Sequence, residues 1–99
     1  MENRQGPKEF KIEIALDDDV AQGVYSNLAL INHSENEFII DFIFVQPQQP
    51  KAKVRARIIT SPKHIKRLAL ALSENIAKYE ARFGKIEIGA NQNDPTSYQ

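Results

Sequence analysis

Few residues in this chain have the side chains or the spacing that metal chemistry needs. The two histidines, His33 and His64, lie far apart in the sequence and lack the paired spacing of a zinc site. His64 is also close to the cations Lys63 and Arg67, which repel a metal ion. The three successive aspartates at residues 17–19 lack the alternating oxygen ligands of a calcium loop. The sequence therefore predicts no metal site.

Covalent catalysis and phosphate binding are equally poorly supported. Neither Ser61 nor Ser73 stands in the glycine-framed turn that exposes a catalytic serine. The chain has no cysteine, which excludes a thiol nucleophile, a disulfide framework and an iron–sulfur cluster. Its four glycines are too scattered for a phosphate-binding loop. We therefore expect a protein that is not an enzyme and that binds no cofactor.

One group of charged residues has a position that needs an explanation. Lys63, Lys66 and Arg67 lie in the first turns of a predicted helix, where positive charge opposes the helix dipole at a cost of up to about 1 kcal/mol. This cluster is a candidate anion-binding site. Its anion is either the acidic residues 17–19 within the same assembly or an external partner such as nucleic acid. The balance of thirteen basic and thirteen acidic residues makes nucleic acid the second choice.

Asp41 is the most unusual polar residue, because apolar side chains surround it in the sequence. An unpaired buried carboxylate is costly, so we expect Asp41 to bond to Arg55 or Arg57 on a neighbouring strand. The simplest interpretation is an ion pair that fixes strand register. The same three residues, Asp41, Arg55 and Arg57, form the candidate partner surface.

Four segments have the patterns of β-strands. Residues 9–16 alternate between apolar and polar side chains, as half-buried strands do. Residues 37–45 are apolar on both faces, which is typical of a central strand. The predicted strands are residues 9–16, 24–32, 37–45 and 52–60, with a possible short strand at residues 85–88. The acidic residues 17–19 are predicted to form a loop after the first strand.

A long amphipathic helix follows the strands. Ser61 is a favourable N-cap, Pro62 suits the first helical position and Gly84 suits the C-cap, so the helix is predicted over residues 62–83. Its apolar stripe repeats at three- and four-residue steps and consists of Ile65, Leu68, Ala69, Leu72, Ile76, Tyr79 and Phe83.

These elements predict an α+β fold: a four-stranded antiparallel meander followed by one long C-terminal helix packed on one face. The helix is expected on the face that carries Phe38, Ile40, Phe42 and Phe44, which is predicted to continue through Val54, Ala56 and Ile58. The opposite face then needs another cover. Either a second copy of the chain supplies it, giving a homodimer, or the first strand folds over it.

Length and composition predict a single domain at residues 9–89, with a flexible arm at residues 1–8 and a flexible tail at residues 90–99. The N-terminal residues have no apolar core of the kind that signal peptides contain, and no stretch approaches about 20 apolar residues. We therefore expect a cytoplasmic protein without a membrane span.

Several short motifs resemble those of a known family. They are Tyr25-Ser26-Asn27, Asp41-Phe42, Ala56-Arg57-Ile58-Ile59, Ser61-Pro62-Lys63-His64, Glu74-Asn75-Ile76 and Phe83-Gly84-Lys85-Ile86. Over residues 20–88 the chain resembles a widespread family of small bacterial proteins catalogued as a domain of unknown function. The resemblance implies a small, mostly cytoplasmic domain and brings no activity, cofactor or catalytic residue. The order of four strands and a long helix is also similar to that of the export chaperone SecB, a likeness of fold only.

The favoured function is a small non-enzymatic interaction or assembly module that acts as a homodimer. The alternatives are a nucleic-acid-binding protein that uses the basic start of the helix, and a SecB-like binder of unfolded polypeptide. A more distant alternative is an enzyme whose site forms only between subunits.

Overall fold

The computed structural model describes residues 11–48 and 50–89, which contain three strands and two helices. In chain order these are α1 (Asp18–Ala21), β1 (Leu28–His33), β2 (Phe38–Phe44), β3 (Lys53–Thr60) and α2 (Pro62–Phe83). The α+β class, with an antiparallel sheet and a C-terminal helix, is confirmed. The predicted arm and tail lie outside the described residues.

The sheet has the order β1-β2-β3, and both neighbouring pairs are antiparallel. A tight turn joins β1 to β2, where the Ser34 N–H donates to the Glu37 carbonyl at 2.9 Å. Side chains of a strand alternate between the two faces of a sheet. One face, called here the Phe38 face, carries Ala29, Ile31, His33, Phe38, Ile40, Phe42, Ala56, Ile58 and Thr60. The other, called the Asp41 face, carries Leu28, Leu30, Asn32, Ile39, Asp41, Ile43, Val54, Arg57 and Ile59.

A register shift between β2 and β3 changes one predicted face. Phe42 lies opposite Ala56, but Ile43 lies opposite Val54, so Arg55 is an extra residue in β3. Such a bulge reverses the alternation of the residues beyond it. Val54 therefore aligns with Ile43 on the Asp41 face, and the prediction that it shares a face with Ala56 is wrong.

The predicted first strand is not a strand in the structure. Residues 11–16 form no ladder with a neighbour, and residues 9 and 10 lie outside the described part of the chain. The side chains of Ile12, Ile14 and Leu16 are 81%, 90% and 66% exposed. Alternation makes a segment suitable for a sheet, but a strand also needs an edge that accepts its backbone N–H and C=O groups. Residues 85–88 are likewise not a strand.

The predicted acidic loop contains the short helix α1. Asp17 precedes its first residue, and Asp18 and Asp19 occupy its first turn. The Val20 N–H donates to the Asp19 carboxylate at 3.0 Å. Negative side chains at a helix N-terminus complement the partial positive charge of the free N–H groups.

Helix α2 begins and ends at the predicted residues. The Ser61 hydroxyl accepts from the His64 N–H at 3.1 Å, and Pro62 stands at the first position. At the other end Gly84 has a φ of 99°, which glycine adopts without the steric penalty of a Cβ. Its N–H donates to the Glu80 carbonyl at 3.0 Å.

The predicted packing of α2 on the Phe38 face is wrong for the single chain. Extensive contacts between the described elements join only neighbouring strands, and α2 has no buried residue. The link explains this arrangement, because only Ser61 separates the end of β3 from the start of α2. Most connections that return an element to its neighbour use several residues. The buried residues of the described chain are Ile40, Asp41 and Ile43, all in the central strand.

Candidate partner surface

An ion pair between Asp41 and Arg57 lies across the two strands β2 and β3. The two residues are directly opposite in the register. The Arg57 Nε donates to Asp41 Oδ1 at 2.7 Å, and its Nη2 donates to Oδ2 at 2.9 Å. Two parallel hydrogen bonds of this kind fix the relative positions of the side chains as well as neutralising the charge. The prediction that Asp41 bonds to an arginine of the next strand is confirmed.

The environment of this pair favours its charged form. Hydrogen bonds from Arg57 lower the pKa of the Asp41 carboxyl below its usual value, and the positive charge of Arg57 lowers it further, while burial acts in the opposite direction. The same hydrogen bonds and the charge of Asp41 raise the pKa of Arg57. Asp41 is thus a carboxylate, and Arg57 a cation, throughout the neutral pH range.

Apolar side chains border the ion pair on the Asp41 face. Leu30 lies opposite Asp41 on the β1 side, and Ile39 and Ile43 flank it along β2. Leu30 and Ile59 are exposed, and the Arg57 side chain is 59% exposed although both of its bonded nitrogens face Asp41. The guanidinium therefore keeps further N–H donors exposed beside apolar side chains, in an orientation fixed by Asp41, which suits a hydrogen bond to an acidic group of a partner.

The structure does not bring Arg55, the third predicted residue of this surface, to Asp41. Arg55 is the extra residue at the bulge and lies at the Lys53 end of the sheet. There it lines an open recess of about 460 Å³ with a concentration of cationic side chains. The lining residues are Phe44, Gln46, Lys51, Lys53 and Arg55.

The predicted anion site lies at the other end of β3. Lys63, Lys66 and Arg67 are exposed in the first turns of α2, and that first turn contains no acidic residue. Lys63 and Arg67 each lie two residues from Ile65, and about 100° per residue places them on the side opposite the apolar stripe. Lys66 lies at the flank. The cluster therefore stays accessible when a partner covers the stripe.

Asn27 is a structural residue that sequence reasoning did not single out for a role. Its side-chain Nδ2 donates to the Val45 carbonyl at 2.9 Å, and its Oδ1 accepts from the Val45 N–H at 2.8 Å. Its own N–H donates to the Ile43 carbonyl at 3.0 Å. Asn27 thus extends the β1–β2 ladder beyond the end of both strands. The sequence feature that could have indicated this role is the position of Asn27 in the Tyr25-Ser26-Asn27 motif.

Over residues 11–48 and 50–89, no three His, Asp or Glu side chains converge in a way that could hold a metal ion. Within the same residues, neither helix combines the length and the apolar character that crossing a bilayer requires.

Comparison with known proteins identifies a family. A family model described as "Protein of unknown function (DUF3467)" matches residues 1–88 of the 99-residue chain. No curated protein and no solved structure matches the chain.

Proposed function

The chain belongs to the DUF3467 family, and we propose that it is a small non-enzymatic interaction and assembly module that acts as a homodimer. The observation that supports this proposal is the uncovered apolar stripe of α2. Leu68, Leu72 and Ile76 are exposed over the middle of a helix of 22 residues. Helices in proteins draw most of their stability from the packing of such a stripe, so a partner is needed to cover it.

A second copy can cover this stripe because the same chain also offers exposed apolar sheet faces. Ile31 and Ile58 are exposed on the Phe38 face, and Leu30 and Ile59 are exposed on the Asp41 face. A stable interface buries about 1,600 Å² in total. In a two-fold dimer each copy contributes both its helix stripe and a sheet face, so every contact is made twice. The exchange of helices between copies is also compatible with the one-residue link at Ser61.

In this proposal Asp41, Arg55 and Arg57 belong to the partner surface. The bonded Asp41–Arg57 pair keeps a buried charge neutralised whether or not the partner is present. The cationic Arg55 recess and the exposed side of Arg57 select acidic groups on the partner. A cytoplasmic location remains a prediction that accompanies this role.

Paired substitutions on α2 test the proposal. Leu72 lies in the stripe and is 57% exposed, whereas Leu70 lies two residues away on the opposite side and is 61% exposed. Leu72→Glu should weaken self-association at least about tenfold, which corresponds to about 1.4 kcal/mol. Leu70→Glu makes the same chemical change and should leave self-association unchanged. The dissociation constants are measured by sedimentation velocity over a concentration series.

Two outcomes would count against the homodimer. One is a wild-type chain that stays monomeric at every concentration. The other is an equal effect of the two substitutions, which would show that the stripe is not the interface. Circular dichroism of both variants shows whether α2 remains folded, so that loss of structure is not mistaken for loss of contact.

Nucleic-acid binding is the second candidate function. It is supported by the exposed position of Lys63 and Arg67 on the side of α2 opposite the stripe, where a dimer would leave them available. Mobility shifts with single-stranded and duplex nucleic acid at low and high salt test this candidate. Lys63→Glu with Arg67→Glu should abolish any shift, and no shift at low salt would remove the candidate.

Binding of unfolded polypeptide, as in SecB, is a third proposal that the exposed apolar side chains allow. The two proposals predict different effects of protein concentration on the amount of exposed apolar surface. A homodimer covers its apolar surface as concentration rises, so the fluorescence of a hydrophobic dye per chain should fall. A binder of unfolded chains should keep that surface open and should suppress the aggregation of a denatured client protein.

A further inference from the structure

We infer that residues 11–16 add as a fourth strand, in antiparallel orientation, to the free edge of β3 in a second copy of the chain. This inference rests on the proposed homodimer and names one of the contacts that build it. It concerns the segment whose strand pattern the single chain leaves without a partner.

Residues 11–16, called here the donated segment, have the alternating pattern of a strand but form no ladder with a strand of the same chain. Ile12, Ile14 and Leu16 alternate with Lys11, Glu13 and Ala15. The three apolar side chains are between 66% and 90% exposed, so the chain's own sheet does not hold them. A segment of this kind becomes ordered when it pairs with a sheet edge, because main-chain hydrogen bonds and alternate side-chain contacts form together.

The accepting edge is β3. In the part of the chain that the structure describes, β1 and β3 are the outer strands, each with unpaired backbone groups on its free side. The two edges differ in charge, because β1 contains no Asp, Glu, Lys or Arg, whereas β3 carries Lys53, Arg55 and Arg57. Positive charges along an edge oppose the pairing of two β3 strands with each other and favour a strand with acidic residues.

The charges of residues 11–67 are segregated along the sequence in the manner that this pairing needs. Residues 11–45 contain seven acidic residues and one basic residue, whereas residues 46–67 contain seven basic residues and no acidic residue. The acidic residues nearest the donated segment are Glu13 within it and Asp17–Asp19 immediately after it. A chain with no net charge thus contains an acidic segment and a basic segment that can attract each other in an assembly.

Antiparallel orientation brings these charges together. With Glu13 opposite Arg57, Ile12 and Ile14 lie on the same face as Ile58 and Ala56, as the alternation of side chains requires. Glu13 then continues the row formed by Leu30, Asp41 and Arg57, on the free side of the guanidinium. The acidic residues after Leu16 reach the Lys53 end of β3, beside the cationic recess at the bulge. The parallel orientation would place Lys11 near the arginines and is therefore disfavoured.

Reciprocal exchange closes the assembly. In a two-fold dimer each copy donates its residues 11–16 and accepts those of its partner, so both sheets gain a fourth strand. The strand order of this sheet differs from the predicted meander, in which the strand at residues 9–16 lies beside β1 rather than beside β3. Both β3 edges are covered, and neither is left to pair further.

Charge reversal in two places provides the test. The segment variant carries Asp18→Lys and Asp19→Lys, and the edge variant carries Lys53→Glu and Arg55→Glu. Each should weaken its own self-association by about tenfold or more, since several like-charge contacts then replace attractive ones. Mixed together, the two variants should form a heterodimer about as tight as the wild type, because both of its strand contacts are again between opposite charges. The matched control, Glu35→Lys with Glu37→Lys in the β1–β2 turn, should neither weaken association nor pair selectively with the edge variant.

Amide hydrogen exchange of the wild-type chain provides the second measurement and separates the two proposals. Protection at residues 11–16 should rise with protein concentration in step with dimer formation. Dimers without protection at residues 11–16, or without heterodimer selection, would overturn the strand addition and leave the homodimer intact. Protection that is independent of concentration would show that the segment pairs within its own chain, which also overturns the inference. A chain that is monomeric throughout would refute the homodimer itself.

Discussion

Asp41 carries a buried negative charge, and the side chain of Arg57 stabilises that charge. Its pKa in the folded chain lies below the value of about 3.9 that an aspartate has in an unfolded chain, chiefly because Arg57 donates two hydrogen bonds to it. The unfolded chain therefore binds the proton more readily at low pH. The stabilising contribution of the pair is complete above the unfolded-state pKa and is lost as the pH falls through the folded-state pKa.

The first prediction concerns the pH dependence of stability. The urea midpoint of the wild type should fall as the pH is lowered below about 4. Asp41→Asn should lower the midpoint at pH 7, because the neutral amide leaves Arg57 without its counter-charge, and the difference from the wild type should shrink in acid. Glu35→Gln makes the corresponding change from carboxylate to amide at an exposed site in the β1–β2 turn and serves as the control. A constant difference between wild type and Asp41→Asn at every pH would contradict this role of the ion pair.

The second prediction concerns Asn27. Asn27→Ala removes both side-chain bonds to Val45 and should lower the free energy of unfolding by about 1–3 kcal/mol, because partly buried backbone groups lose their partners. Asn32→Ala, an exposed change on β1, is the control and should have a smaller effect. Chemical denaturation of the three proteins measures the difference, and equal stability of the two variants would exclude the bridging role.

The sequence was sufficient to predict some side-chain partners and not others. The pairing of Asp41 with an arginine follows from its apolar neighbours and from strand parity. The choice of Arg57 over Arg55 depends on the register of β2 and β3, which places Arg57 directly opposite Asp41 and which no local pattern indicated. The bonds of Asn27 join residues 18 positions apart, so their prediction would have required the register of the sheet.

At the scale of elements, the ends of α2 depend on local chemistry. The third prediction is that Ser61→Ala lowers the free energy of unfolding by about 0.5–2 kcal/mol, because the His64 N–H loses its acceptor. Ser73→Ala, within the exposed middle of the same helix, should be neutral or slightly stabilising, since alanine has the higher helix propensity. Urea denaturation monitored by circular dichroism compares them. A larger loss for Ser73→Ala would contradict the capping role.

The same locality explains which elements sequence reasoning predicted correctly. The helix bounds were predicted to the residue, because Ser61, Pro62 and Gly84 act on their immediate neighbours. The predicted strand at residues 9–16 is absent over its described residues 11–16, and the predicted packing of α2 is wrong for the single chain. Both depend on a surface formed by residues far away in the sequence. An alternating pattern or an apolar stripe shows that a segment has an apolar side to bury, but it does not show which surface buries it. The short helix α1 was missed because three aspartates are typical of loops as well as of helix starts.

At the scale of the whole molecule, the proposed homodimer accounts for the exposed apolar surfaces and the segregated charges together. The stripe of α2, the sheet faces and residues 11–16 are exposed in the single chain. In the proposed homodimer a second copy covers all of them, with the opposite charge in the required place. The mass of the protein in solution is therefore the most direct test of the homodimer. Homodimers form by mass action, so the association should be visible as a concentration dependence.

The decisive measurement is sedimentation velocity of the wild-type chain from about 1 to 100 µM, a range that brackets micromolar affinity. The homodimer predicts a species of about twice the chain mass of 11.3 kDa, whose share rises with concentration. A single species of 11.3 kDa over the whole range would contradict the central claim.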